Sequence, residues 1–174
     1  MFGLNLVVHK GKTIFVGDTS VHEYPTSEQM AQIAVSAARV VRLFGFEPKV
    51  AFVSHSTFGQ PLTSRTKHIK NAVEILKEKN VNFQFDGDMQ PDVALNDEYK
   101  SLYPFSKIVG NANILIMPGQ HSAAISYKMM KTLGDAKVIG PLLIGLGLPI
   151  EIAPLRSSTS EILNLASIAA YSAD

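Results

Sequence analysis

Residues 109–149 read VGNANILIMPGQHSAAISYKMMKTLGDAKVIGPLLIGLGLP, and this stretch decides the fold. Residues 113–117 are a continuous apolar run apart from Asn113, short enough for a strand buried on both faces of a parallel sheet. The run breaks at Pro118-Gly119. The polar triplet Gln120-His121-Ser122 follows, at the mouth of an apolar helix with Ala124, Tyr127, Met130 and Leu133 on its inward face. A strand that ends in a polar turn and feeds a helix is where open α/β sheets hold ligands. The free N–H groups and positive dipole end of such a helix suit a phosphate or carboxylate. A plain βα turn without a ligand reads the same way, so the stretch fixes fold class before function.

Working outward, the pattern repeats. Residues 4–9 and 13–16 flank Lys10-Gly11-Lys12, as a β-hairpin does. Thr26 and Gln29 have capping-box spacing ahead of a helix with Met30, Ile33, Ala34, Ala37, Val40, Val41 and Phe44 inward, ended by Gly45. Residues 50–53 form a second buried strand, closing in the hydroxyl-rich turn Ser54-His55-Ser56-Thr57-Phe58-Gly59-Gln60. A lysine-studded helix is predicted over 65–79, a third strand over 81–85 ending at Asp86-Gly87-Asp88-Met89-Gln90, and a short helix over 94–102. Short strands at 137–139 and 149–152 surround the glycine-rich 140–147. Ser158 and Glu161 have capping-box spacing before a last helix with Ile162, Leu165, Ala166 and Ala169 inward. Strands alternating with helices predict a three-layer α/β sandwich around a mainly parallel sheet.

The 174 residues suffice for one domain with a substantial core. A net charge of +1 points to neither nucleic acid nor an anionic membrane surface. The chain has no cysteine, which excludes disulfides, thiolate zinc sites and cysteine nucleophiles. No apolar run is long enough to span a bilayer. MFGLNLVVHKGK lacks a basic leader and a small-residue cleavage site, so the expected setting is the cytoplasm.

Three strands end in polar turns: 54–60, 86–90 and 118–122. In a parallel sheet these share one edge and would line a crevice suited to a phosphorylated ligand. Ser54-His55-Ser56 lacks an evident orienting acid or oxyanion hole for nucleophilic work. The five histidines show no metal-ligand spacing, and His68, on a helix among lysines, reads as solvated. Asp86 and Asp88 could meet a hard cation, but more often such a pair caps a turn. Neither a Walker loop nor G-x-G-x-x-G is present.

In order and spacing these segments resemble the phosphotransacetylase (phosphate acetyl/butyryl transferase) family over nearly the whole chain. Ser54 to Gln60 resembles its S-x-S-T-K-G-S turn, with Phe58 for lysine and Gln60 for the last serine. DGDMQPDVAL, beginning at Asp86, resembles D-G-E-M-Q-x-D-A-A-L; GNANILIMP, beginning at Gly110, resembles G-K-A-N-V-x-I-F-P; and IGPLLIGL, beginning at Ile139, resembles G-P-I-L-Q-G-L. The resemblance implies a phosphotransacetylase or isocitrate-dehydrogenase-like fold.

The departures fall on the chemistry. After Pro118 the family has D-L-N-x-G-N, where this chain has Gly119, Gln120, His121, Ser122, Ala123 and Ala124. Aligned without gaps from Pro149, the family's catalytic Ser-Arg pair falls on Pro154-Leu155 and its acid on Glu161; Arg156 stands one place off. Proline and leucine can neither activate a thiol nor hold a phosphate. Glu161 also has a simpler role as partner of Ser158 in a capping box.

Such a chain is similar to the phosphotransacetylase-like C-terminal domain of large NADP-dependent malic enzymes, most visibly in PTSEQMAQIA, FGFEPKVAFVSHSTFG and SAAISYKMMKTLG. The resemblance implies a regulatory module that senses acetyl-coenzyme A, with Ser56, Thr57, Gln90, His121 and Ser122 as ligand contacts, and Arg156 and Glu161 as catalytic groups only if transferase activity survives. It implies a homodimer or larger homo-oligomer attached to N-terminal malic enzyme domains. NADP and a divalent metal would belong to those domains, with no cofactor in this chain. The family domain is roughly twice this length, so 1–174 is expected to be its second subdomain plus the C-terminal segment returning to the first. A structural oligomerisation module is the remaining alternative.

Overall fold

The computed structural model describes residues 1–172. Its order is β1 (Phe2–His9), β2 (Lys12–Gly17), α1 (Ser27–Leu43), β3 (Lys49–Val53), α2 (Ser64–Glu78), β4 (Gln84–Met89), α3 (Pro91–Leu95), α4 (Asp97–Lys100), β5 (Ile114–Ile116), α5 (Gln120–Leu133), β6 (Lys137–Ile144) and α6 (Thr159–Tyr171). One six-stranded sheet has the order β4-β3-β5-β2-β1-β6. The pairs β4–β3, β3–β5 and β5–β2 are parallel; β1 runs antiparallel to both its neighbours.

Period-two alternation divides the core between the two faces. Leu4, Phe15, Val50, Phe52, Ile114 and Ile116 point to one face, where Met30, Ala34, Ala37 and Val41 of α1 and Ile69, Ala72 and Leu76 of α2 cover them. Val7, Val16, Ala51, Val53 and Leu115 point to the other, under Val93 and Ala94 of α3 and Ala123 of α5. The fold expectation is therefore borne out: a mostly parallel sheet between helical layers. Among the described residues, no helix is long and apolar enough to cross a membrane.

Several elements differ from expectation. The third strand lies at Gln84–Met89, not 81–85, because its full length pairs with β3. The polar Asp86 and Asp88 are tolerated inside it because neighbouring loops donate to their carboxylates. The helix expected over 94–102 is two short ones broken at Asn96, whose side chain caps the second. β6 runs on through the glycine-rich segment to Ile144, and 149–152 contributes only a bridge between Leu142 and Glu151. On α5, Leu133 is exposed and Ala123 is the buried residue; on α6, Leu165 alone is buried while Ile162 and Ala166 face solvent. Both helices lie towards the β1–β6 side of the sheet, where fewer elements pack over them.

Candidate functional site: a cleft at the carboxyl edge of the sheet

Because β2, β3, β4 and β5 are parallel, the turns that leave them meet at one edge. The turn after β3 is shaped from β4. Asp88 is buried; its Oδ2 accepts the Ser56 hydroxyl, its Oδ1 accepts the Gly59 N–H (3.1 Å), and its carbonyl accepts the Phe58 N–H (2.6 Å). These bonds hold Phe58 in the left-handed region at φ 50°, a costly place for a bulky side chain. Gln90 Nε2 donates to the His55 carbonyl (3.0 Å) and Gln90 N–H to Thr57 Oγ1 (3.3 Å), tying the turns after β3 and β4 together. Asp86 likewise accepts from the Lys107 backbone (2.7 Å). Both aspartates thus cap loops.

The chain between β2 and α1 closes the other side. Asp18 is buried and accepts from the backbone N–H groups of Gly3, Ser20, Val21 and His22, and sits 2.7 Å from His22 Nδ1. Further on, the Gln120 N–H donates to the Glu23 carbonyl (3.1 Å), and a Cβ on Gly119 would stand 2.7 Å from that same oxygen. Only glycine lets the two turns approach so closely. The His121 ring stacks beside Tyr24 with centroids 6.3 Å apart, and its Nε2 lies 3.2 Å from Glu23 Oε1.

His68 is not solvated as its lysine-rich surroundings suggested. The Ser27 hydroxyl donates to the His68 carbonyl (2.9 Å), leaving its oxygen to meet Nδ1 (3.1 Å), while the Pro25 carbonyl lies 2.8 Å from Nε2. The first turns of α1 and α2 pack together here, a tertiary contact that local composition does not encode.

Between these segments opens a cleft of about 730 Å³. Its polar wall is Ser54, His55, Arg65, His68, His121 and Ser122; its apolar wall is Val53, Ile69, Met117 and three prolines. Among the described residues no carboxylate lines it. An unopposed guanidinium, three imidazoles and several hydroxyls over an apolar floor suit an anionic ligand with an apolar part.

Of the five residues expected to contact ligand, His121 and Ser122 line this cleft. Ser56 is fully buried against Asp88. Thr57 and Gln90 face a neighbouring groove of about 320 Å³, shared with Gln60, Asp92, Tyr99 and Tyr103. Sequence reasoning missed Tyr24, Arg65 and His68. A positional signal existed for Arg65, second residue of a helix that leaves a polar turn.

Arg156 and Glu161 come together elsewhere. They line a separate cavity of about 240 Å³ between β6, α5 and α6, with Lys128 and Lys131. Glu161 Oε2 accepts from the Ser158 N–H (2.8 Å) and hydroxyl (3.0 Å), and Oε1 from Lys131 Nζ (3.0 Å). The Ser158 backbone, then the Lys131 ammonium, hold its carboxyl down at about 2. The capping box of α6 is formed. A carboxylate so committed is a weak base for a thiol.

The model of the phosphate acetyl/butaryl transferase family matches residues 1–170. The chain belongs to that family. It is 45% identical over 173 residues to the NADP-dependent malic enzyme of Rhizobium meliloti, a match covering 99% of this chain and 23% of that protein. It is 36% identical over 157 residues to the phosphate acetyltransferase of Clostridium acetobutylicum, covering 89% of this chain and 47% of that one. Among solved structures, a phosphotransacetylase from Streptococcus pyogenes superposes with a TM-score of 0.93 at 31% identity, over 99% of this chain and 53% of that one. The chain thus spans about a quarter of the malic enzyme relatives and about half of the free-standing transferases. Pro154 and Leu155, where the resemblance leads us to expect the family's Ser-Arg pair, are both exposed, and Leu155 lies in a turn.

Proposed function

We propose that this chain is the phosphotransacetylase-like regulatory domain of an NADP-dependent malic enzyme, and that it binds acetyl-coenzyme A without turning it over. The observation that carries this reading is a cleft of about 730 Å³ with no carboxylate among its described lining residues, in a chain that has Pro154 and Leu155 where the resemblance places the reaction groups. The phosphates of the coenzyme meet Arg65, His121 and Ser122. The acyl-pantetheine arm lies along Val53, Ile69 and Met117. Occupancy draws the β2–α1 segment, the start of α2 and the turn after β5 onto one ligand. A homo-oligomer passes that change to N-terminal malic enzyme domains, which hold NADP and the divalent metal, in the cytoplasm.

Acetyl-coenzyme A is titrated calorimetrically into the full-length protein, with malate oxidation and acetyl phosphate turnover assayed in parallel. The expected result is saturable binding that changes the malate oxidation rate, with no transfer between acetyl phosphate and coenzyme A. No heat at millimolar ligand would overturn the sensor and leave an oligomerisation module.

A second reading has one observation in its favour: Arg156 and Glu161 do share a cavity with two lysines. Turnover of acetyl phosphate, abolished by Arg156→Ala, would establish an active phosphate acyltransferase instead. The committed hydrogen bonds of Glu161 favour the sensor.

A further inference from the structure

The 320 Å³ groove beside the cleft has the opposite chemistry to it. Lysine, arginine and histidine are absent from its described lining, and Asp92 is its one formal charge. Tyr99 and Tyr103 give its lining two aromatic rings, and Gln60, Gln90 and Thr57 give it amide and hydroxyl side chains. Behind Tyr103 stand Phe58 and Phe105, with Phe58 5.5 Å from the Tyr103 centroid and 4.8 Å from that of Phe105. Phe58 reaches this cluster from its left-handed backbone conformation. Of the two tyrosines in the lining, Tyr103 is the one packed against other aromatic rings.

Groove and cleft are separated only by a ridge. His55 and Pro91 line the cleft; Thr57, Gln90 and Asp92 line the groove; and the Gln90 Nε2 bond to the His55 carbonyl spans the crest. The ridge tops β3 and β4, neighbouring strands that stand about 5 Å apart. A ligand crossing it would place an anionic segment by Arg65 and a flat, neutral, hydrogen-bonding ring by the tyrosines. A nucleotide has that polarity.

We propose that this groove is a nucleobase subsite, taking the adenine ring of the acyl-coenzyme A whose phosphates and acyl arm occupy the cleft. It rests on the acyl-coenzyme A reading of the cleft and extends it. The ring stacks on Tyr99, its exocyclic amine donates to Asp92 or the Gln60 carbonyl, and the Gln60 or Gln90 amide donates to a ring nitrogen. Stacking on an aromatic side chain is sequence-tolerant, so the amides and Asp92 provide the selectivity for adenine.

The test uses two probes and two variants of the full-length protein. Acetyl-coenzyme A and acetyl-pantetheine, which lacks the nucleotide, are titrated against parent, Tyr99→Ala and Tyr99→Phe. Tyr99 is 47% exposed, so its removal leaves the core intact. The alanine variant is expected to bind acetyl-coenzyme A about tenfold more weakly, and acetyl-pantetheine as the parent does. Phenylalanine, which keeps the ring, restores most of the loss. Unchanged acetyl-coenzyme A affinity in Tyr99→Ala, or an equal loss for both probes, would overturn the subsite while leaving the sensor standing. Binding of neither probe by the parent would overturn both.

Discussion

Asp88 illustrates how much one buried carboxylate organises. Its oxygens accept the Ser56 hydroxyl and the Gly59 N–H, and so determine where the turn after β3 goes. Removing it leaves the buried Ser56 hydroxyl only its 3.2 Å contact with Ser54 Oγ and the half-buried Gly59 N–H no acceptor, and a buried group left unsatisfied costs about 1–3 kcal/mol. Asp88→Ala is therefore expected to lose about 3 kcal/mol, a fall in Tm of roughly 10 °C, by thermal unfolding. Asp88→Asn, which keeps an acceptor, should lose less; equal losses would mean that packing rather than hydrogen bonding is at stake. At this scale sequence reading did unevenly. The Thr26 and Ser158 capping boxes were legible because donor and acceptor lie three residues apart. The Ser56–Asp88 bond was not, because its partners lie 32 residues apart and meet only through parallel pairing.

β6 forms one edge of the sheet, and the chain doubles back beyond it so that Glu151 bridges to Leu142. Burial, opposed by the Leu143 backbone, pushes the Glu151 carboxyl up to about 7, and its Oε2 has no partner among the described residues. The folded group therefore holds its proton over a range where the unfolded group, near 4.5, has lost it. Stability from this site is fully present below about 4.5, falls as pH rises, and is gone above about 7. Allowing for solvent screening of a half-buried group, the loss is about 1 kcal/mol. Glu151→Gln should raise Tm at pH 8 and leave it unchanged at pH 4.5; an equal gain at both values would exclude ionisation as the cause. Helix faces belong to this scale too. The inward face of α1 was legible because it packs over several strands, and that of α6 was misread because only Leu165 finds cover.

Over the whole molecule, apolar side chains concentrate on the segment after β6. Leu148 is 72% exposed and Leu155 fully so, with Ile150 and Ile152 about half exposed. Exposed apolar side chains gathered in one segment favour association. The 174-residue chain expressed alone is expected to self-associate with concentration in sedimentation velocity, and replacing Leu148, Ile150 and Ile152 by serine to shift it towards monomer. Unchanged association in the triple variant would place the contact elsewhere, for instance on the outer face of α5.

Sequence alone determined the layered α/β architecture, because strand and helix periodicities are local and the strand-to-helix alternation leaves a parallel sheet as the economical solution. It also located the edge where polar turns gather. Only the tertiary structure decided which polar residues face the cleft. Ser56 turned inward to Asp88, Thr57 and Gln90 turned to the aromatic groove, and Arg65 and His68 joined His121 in the cleft. The physical reason is that a turn's direction is set by what it hydrogen-bonds across the sheet. Those partners lie in segments distant along the chain, beyond the reach of any local pattern.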